Sequence, residues 1–256
     1  MKQLLKRLFG AEAAPPPLPA GLRESTEALI REVREAKLTY VGIPKLQRLR
    51  DAALHVRAEG VPGAFLEAGV ALGGSAILLA KCKAPGVALD LYDVFAMIPP
   101  PGPQDGPDAH ERYEVIRTGA SAGIGGEKYY GYVDNLLDQV RANLARFGVE
   151  PARDGVRFIQ GLFDDTLHPA GPVALAHIDC DWYEPVRTCM ERIIPRLSPG
   201  GVMVFDDYAS YSGCRKAVDQ LLQERSDFDK VFEGRSVGLR LRRPGESAPT
   251  PWSSPA

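Results

Sequence analysis

Two short stretches concentrate acid where acid is hard to keep: HIDCDWYEP at residues 177–185 and FDDY at 205–208. Asp179 and Asp181 close the apolar run VALAHID (173–179), and Asp206 and Asp207 close GVMVFDD (201–207). Carboxylates gathered at one place cannot all stay ionised without a compensating cation, so they hold protons or surround a metal. Oxygen donors with no His or Cys set beside them point to Mg²⁺, with Ca²⁺ or Mn²⁺ as alternatives. A strand-end aspartate can instead cap the next helix, as Asp181 would for the one containing Glu184. Two pairs at equivalent strand ends favour the metal. Trp182, Tyr183 and Tyr208 flank the pairs as pocket walls or as core, and His177 reads as a hydrogen-bonded core residue.

Positioning those pairs requires two neighbouring parallel strands, which lie about 4.7–4.9 Å apart and end on one edge. The pattern of the chain supplies them. Short apolar runs at AFLEAGV (64–70), VALDLYD (87–93), VRFIQG (156–161), 173–179 and 201–207 alternate with helical segments from about Ser75, at 132–147, within 183–196 and within 211–225. That alternation is the mark of a doubly wound α/β sheet, mostly parallel and covered on both faces. FDKVFEG and SVGLRLRR are separated by a link too short for a helical crossover, so the final strand is expected to run antiparallel. Two further helices, GLRESTEALIREVREAK and PKLQRLRDAALHVRAEG, precede the first strand. The long connection 94–131 is rich in Pro and Gly and is read as a lid or substrate loop. His110, Arg112, Lys128, Tyr129 and Tyr130 are its candidates to face a ligand.

The first strand carries a second signal. FLEAGVALGGSA hands a strand to a helix through a glycine-rich turn, the place where such sheets bind nucleotides. Its spacing fits neither GxGxxG nor the phosphate-binding loop, which disfavours NAD and ATP. Glu67 is an acid inside an apolar strand and needs a partner for its charge. Ser75 caps the helix or donates to a ligand. Asp93, ending the second strand, has the chemistry to accept hydrogen bonds from both hydroxyls of a ribose. A cofactor bearing a ribose and a sulfonium but no phosphate fits these groups.

Composition narrows the partners. In 256 residues the net charge is −2, with no basic block, so neither nucleic acid nor an anionic membrane is indicated. Cys82, Cys180, Cys189 and Cys214 form no CxxC pattern and are expected as buried free thiols. Lys6 and Arg7 interrupt the N-terminal apolar stretch, and no run reaches membrane-span length, so a cytoplasmic protein is expected. Residues 1–21 and 245–256 read as a flexible segment and a disordered tail around a single domain at 22–244.

Five segments, GVPGAFLEAGVALGGS, DVFAMIPPP, FIQGLFDDTL, AHIDCDWYEP and GGVMVFDDY, resemble in order those of the macrocin O-methyltransferase family. The resemblance implies a class I, Rossmann-like methyltransferase fold, with S-adenosylmethionine and Mg²⁺ as cofactors and sugar hydroxyls of natural products as acceptors. It further implies that Asp179, Asp206 and Asp207 hold the metal and that Asp181 is the general base. Glu67 and Gly69 would lie against the cofactor, with Asp93, Gly161 and Phe163 in its other contact segments. Where the family commonly reads GVWRGG this chain reads GVALGG, and Val94 replaces a serine. The expected activity is thus methyl transfer to a small-molecule hydroxyl, on a sugar or vicinal diol of secondary metabolism, by a chain that can form a homodimer through its N-terminal helices. A catechol-type acceptor and a metal-dependent phosphoester hydrolase are the alternatives.

Overall fold

The computed structural model describes residues 17–247 and Trp252. Most of the expected flexible N-terminal segment, and of the tail beyond residue 247, lies outside the described residues. Trp252 itself packs against the His55 and Phe232 rings, and its amide donates to Val231 O at 2.7 Å.

Among the described residues seven strands form one sheet: β1 (Ala64–Ala68), β2 (Leu89–Asp93), β3 (Val156–Gln160), β4 (Val173–Ile178), β5 (Leu197–Phe205), β6 (Phe228–Glu233) and β7 (Val237–Leu241). Their spatial order is β3-β2-β1-β4-β5-β7-β6. β1 to β5 pair in parallel, and β7 runs antiparallel to both of its neighbours. The final strand is therefore antiparallel as expected. It inserts between β5 and β6, and the short 234–236 link makes β6 and β7 a hairpin.

Among the described residues nine α-helices accompany the sheet: α1 (Leu22–Glu35), α2 (Ile43–Ala58), α3 (Gly74–Cys82), α4 (Pro107–Arg117), α5 (Leu136–Arg146), α6 (Pro151–Asp154), α7 (Phe163–Thr166), α8 (Tyr183–Ile193) and α9 (Ser212–Glu224). Side chains alternate across each strand, so Phe65, Leu91, Leu175 and Val204 meet α1, α2, α3 and α5 on one face. Leu66, Tyr92, Ala176 and Phe205 meet α8 and α9 on the other. α1 docks because Thr26, Leu29, Ile30 and Val33 recur at helical intervals and are all buried. α2 lies between α1 and the strands and buries Leu46, Leu49, Ala53 and Leu54. All four cysteines are buried and unbridged.

Three details differ from the sequence reading. β5 begins at Leu197 instead of 201, since Ser198 to Gly200 continue the strand despite their turn-like composition. The 94–131 connection holds a helix of its own, α4, together with two single-turn helices at Ile124–Gly126 and Tyr130–Tyr132. Gly73, with φ 89°, takes the N-cap of α3, so Ser75 is buried within the first turn and caps nothing.

The sheet order reverses between β1 and β4, and this is where α/β sheets leave a crevice for ligands. Gly69 leaves β1 at φ +90°, and a Cβ there would stand 1.9 Å from the carbonyl oxygen of Asp179. Gly69→Ala is expected to cost at least ~3 kcal/mol in urea unfolding. Gly86→Ala, at a similar positive φ but in open space, is the control and should cost only about 1 kcal/mol. Equal effects would show that the close approach of the two loops is not what demands glycine.

Candidate active site

Strand register builds the acidic centre. Ala68, Ile178 and Phe205 stand side by side in β1, β4 and β5, so the next residues, Gly69, Asp179 and Asp206, form the row just beyond the sheet. The amide of Asp179 donates to Ala68 O and that of Asp206 to Ile178 O, which extends the ladder by one step. One step further back, Glu67 faces His177, two residues before Asp179 and hence on the same face.

The carboxylates divide. Asp179, Asp181 and Asp207 each bring an oxygen within 4.8 Å of the other two. Asp206 turns instead to Lys45 on the first turn of α2, whose Nζ donates to its Oδ2 at 2.7 Å. Nε2 of His177 lies 3.9 Å from the other oxygen of Asp206, too far for a hydrogen bond but close enough to attract. His177 Nδ1 and Glu67 Oε1 are 2.8 Å apart, and both side chains are fully buried.

Protonation follows from that division. Burial opposes charge on His177, but the Asp206 and Glu67 carboxylates outweigh it and raise its pKa to about 9. Burial likewise raises Asp206, yet His177 and Lys45 together hold it below the usual carboxylate range. Asp179 and Asp181 are pushed well above that range, first by burial and then by their acidic neighbours. Asp207 rises for the same reasons. Its Oδ2 is buried without any hydrogen-bond partner among the described residues. An orphaned oxygen facing two further carboxylates is the donor set a hard divalent cation takes, so these residues fit Mg²⁺.

Capping does not account for Asp181. The amide of Tyr183, first residue of α8, is satisfied by Asp105 Oδ1 from the lid at 2.7 Å. Asp108, also from the lid, accepts from both the amide and the hydroxyl of Ser212 at the start of α9. Asp181 adopts φ +60°, a strained conformation outside glycine, and turns into the cavity.

Two cavities meet at this centre, sharing Gly69, Asp93, Ile98, Tyr130 and Asp179. The first, about 310 Å³, is mostly apolar and also lined by Val94, Pro99, Gly161, Phe163 and Trp182. The second, about 270 Å³, holds Lys45, Arg112, Asp181, Asp206 and Asp207 among tyrosines 40, 129, 130 and 211. Of the expected cofactor residues, Gly69, Asp93, Gly161 and Phe163 line the first cavity, whereas Glu67 and Ser75 line neither. Asp93 already accepts from the amides of Val70, Ala71 and Phe95, so it clamps the glycine-rich turn to the end of β2. Burial raises its pKa against the pull of those three amides. Of the lid candidates, Arg112, Tyr129 and Tyr130 reach the second cavity, while His110 and Lys128 are exposed. Lys45 carried no signal in the sequence, being one lysine of an amphipathic helix 161 residues from its partner.

The chain matches the macrocin O-methyltransferase (TylF) family model over residues 24–232. It belongs to that family. A Streptomyces olivaceus relative, 8-demethyl-8-(2,3-dimethoxy-alpha-L-rhamnosyl)-tetracenomycin-C 4'-O-methyltransferase, is 35% identical over 82% of this chain and 77% of its own. Mycinamicin III 3''-O-methyltransferase of Micromonospora griseorubida is 30% identical over 84% of this chain and 85% of its own. The solved O-methyltransferase NovP shares the fold, with a TM-score of 0.70 at 23% identity over 87% of this chain and all of that one. The protein is therefore an S-adenosylmethionine-dependent O-methyltransferase, which sets the hydrolase alternative aside. Among the described residues no helix is long and apolar enough to cross a membrane.

His177 supplies a pH test. Its folded pKa lies above its unfolded value, so its stabilisation is complete below about pH 6.5 and is lost as pH rises through about 9. Wild-type protein should lose up to roughly 3 kcal/mol between pH 6 and 9.5 in urea unfolding. His177→Gln should be less stable at pH 6 and show a flatter profile; an unchanged slope would mean that His177 is neutral.

Proposed function

We propose that this enzyme methylates one hydroxyl of a vicinal diol, on a sugar carried by a natural product of an antibiotic pathway, with the help of a divalent cation. The observation that carries this reading is the junction of an apolar cavity with a polar one at a cluster of three carboxylates, Asp207 buried and Asp179 and Asp181 half-buried. The relatives named for the 4' position of a rhamnosyl tetracenomycin and the 3'' position of mycinamicin III support a sugar hydroxyl as acceptor.

In this reading the apolar cavity takes the adenosine of S-adenosylmethionine between Ile98, Pro99, Phe163 and Trp182, beside Gly161. Trp182 donates its indole N–H to Pro99 O at 2.9 Å, which holds the lid against the end of β4 and keeps that wall in place. The acceptor enters among Tyr40, Tyr129, Tyr130 and Tyr211, whose rings and hydroxyls suit the mixed faces of a sugar. Asp179 and Asp207 are the core of the metal site. A cation bound there would keep its carboxylates ionised and lower the pKa of the acceptor hydroxyl, and S-adenosylmethionine would supply the methyl group. Asp181, turned into the second cavity by its left-handed backbone, accepts the hydroxyl proton. The walls align oxygen and methyl carbon for in-line displacement and exclude water from the sulfonium.

Asp181→Asn should lower kcat by about 10²–10⁴-fold while S-adenosylhomocysteine still binds by calorimetry. Chelation with EDTA, or Asp179→Ala, should abolish methyl transfer to glycosylated acceptors, and Mg²⁺ should restore the chelated wild type. Full turnover after chelation would remove the metal from the mechanism. Undiminished Asp181→Asn activity would remove the base.

A further inference from the structure

The site holds its own cation. We infer that Lys45 is an internal counter-ion that competes with the divalent metal for Asp206, and so sets the affinity and the metal-free stability of the site. The inference rests on the metal-dependent reading above and goes beyond it.

Lys45 Nζ is 2.7 Å from Asp206 Oδ2 and 3.9 Å from Asp207 Oδ1, and its side chain is only 13% exposed. It cannot be a chance surface pair. Its helix packs against the same face of the sheet that carries Glu67 and His177, so the ammonium is delivered to the acid row from that side while α8 and α9 close the other. The resulting line alternates in charge: Glu67, His177, Asp206, Lys45. Asp206 thus has a positive neighbour on each side, whereas Asp179, Asp181 and Asp207 have chiefly one another.

Two consequences follow. Without metal, Lys45 offsets repulsion that would otherwise push the strand ends apart, since a buried carboxylate left unpaired is strongly destabilising. With metal, Asp206 would have to share its charge between the cation and Lys45, and the ammonium repels the incoming cation. Lys45 also lines the acceptor cavity, so an ammonium released from Asp206 is placed to donate to an acceptor oxygen.

The test is direct Mn²⁺ binding, by electron paramagnetic resonance titration of the full chain, in wild type, Lys45→Gln and Lys45→Arg. Glutamine keeps a hydrogen-bond donor and removes the charge; arginine keeps the charge. Lys45→Gln should bind Mn²⁺ roughly tenfold more tightly or better, while Lys45→Arg should stay near wild type. In parallel, Lys45→Gln should melt at lower temperature without metal and gain more from added Mg²⁺ than wild type does. Equal or weaker Mn²⁺ binding by Lys45→Gln, with wild type binding normally, overturns the counter-ion role alone. Failure of every variant to bind Mn²⁺, together with turnover in EDTA, overturns the metal reading and this inference with it.

Discussion

Everything at the working edge of this sheet depends on how five carboxylates are kept together, with Glu67, Asp206 and Asp207 buried and Asp179 and Asp181 half-buried. Glu67, Asp179, Asp181, Asp206 and Asp207 crowd the ends of β1, β4 and β5, and the described residues set only His177 and Lys45 directly against them. The two cations are not shared evenly. His177 bridges Glu67 and Asp206, and Lys45 covers Asp206 from the opposite side. What is left over is a group of three acids with raised affinity for protons and one oxygen with no partner. A divalent cation is the simplest species that relieves both conditions at once.

The same edge explains why the lid is ordered against it. Asp105 and Asp108 reach from the 94–131 connection to the N-termini of α8 and α9, where free amides and the helix dipole favour negative charge. Trp182 closes the link from the other direction through Pro99. By taking over the capping of α8, Asp105 leaves Asp181 without a structural task, and its left-handed backbone turns it toward the second cavity. Fold stability and chemistry are thus handled by different acids, although all of them lie within a few residues of a strand or helix end.

The fold was legible because hydrophobic alternation, helical periodicity and short links are local properties. The five parallel strands, the leading helices and the closing hairpin all follow from patterns spanning fewer than twenty residues. Errors arose where local composition misled: Ser198, Pro199 and Gly200 lie outside the apolar run at 201–207 but extend β5, filling the irregularity between the Leu197–Val173 and Val202–Leu175 pairs. Pro107 and Gly106 read as loop, yet proline in the first turn and glycine before it suit the start of α4. At the site, the acid pairs and the glycine-rich turn were visible as clusters. Their partners were not, since Lys45 reaches Asp206 across 161 residues and nothing near it in sequence marks it.

The sequence alone determined the class of sheet, the edge on which the acids gather and, through ordered motifs, the chemistry of methyl transfer. It also determined that His177 belongs to the core, because a lone histidine inside an apolar strand must find a hydrogen-bond partner. Only the tertiary structure decided which acid does what. Strand register put Asp179 beside Asp206, helix packing brought Lys45 to one of them, and the lid took the capping role from Asp181. Those assignments depend on distances between segments far apart in the chain, and electrostatic energy follows distance in space, not separation in sequence.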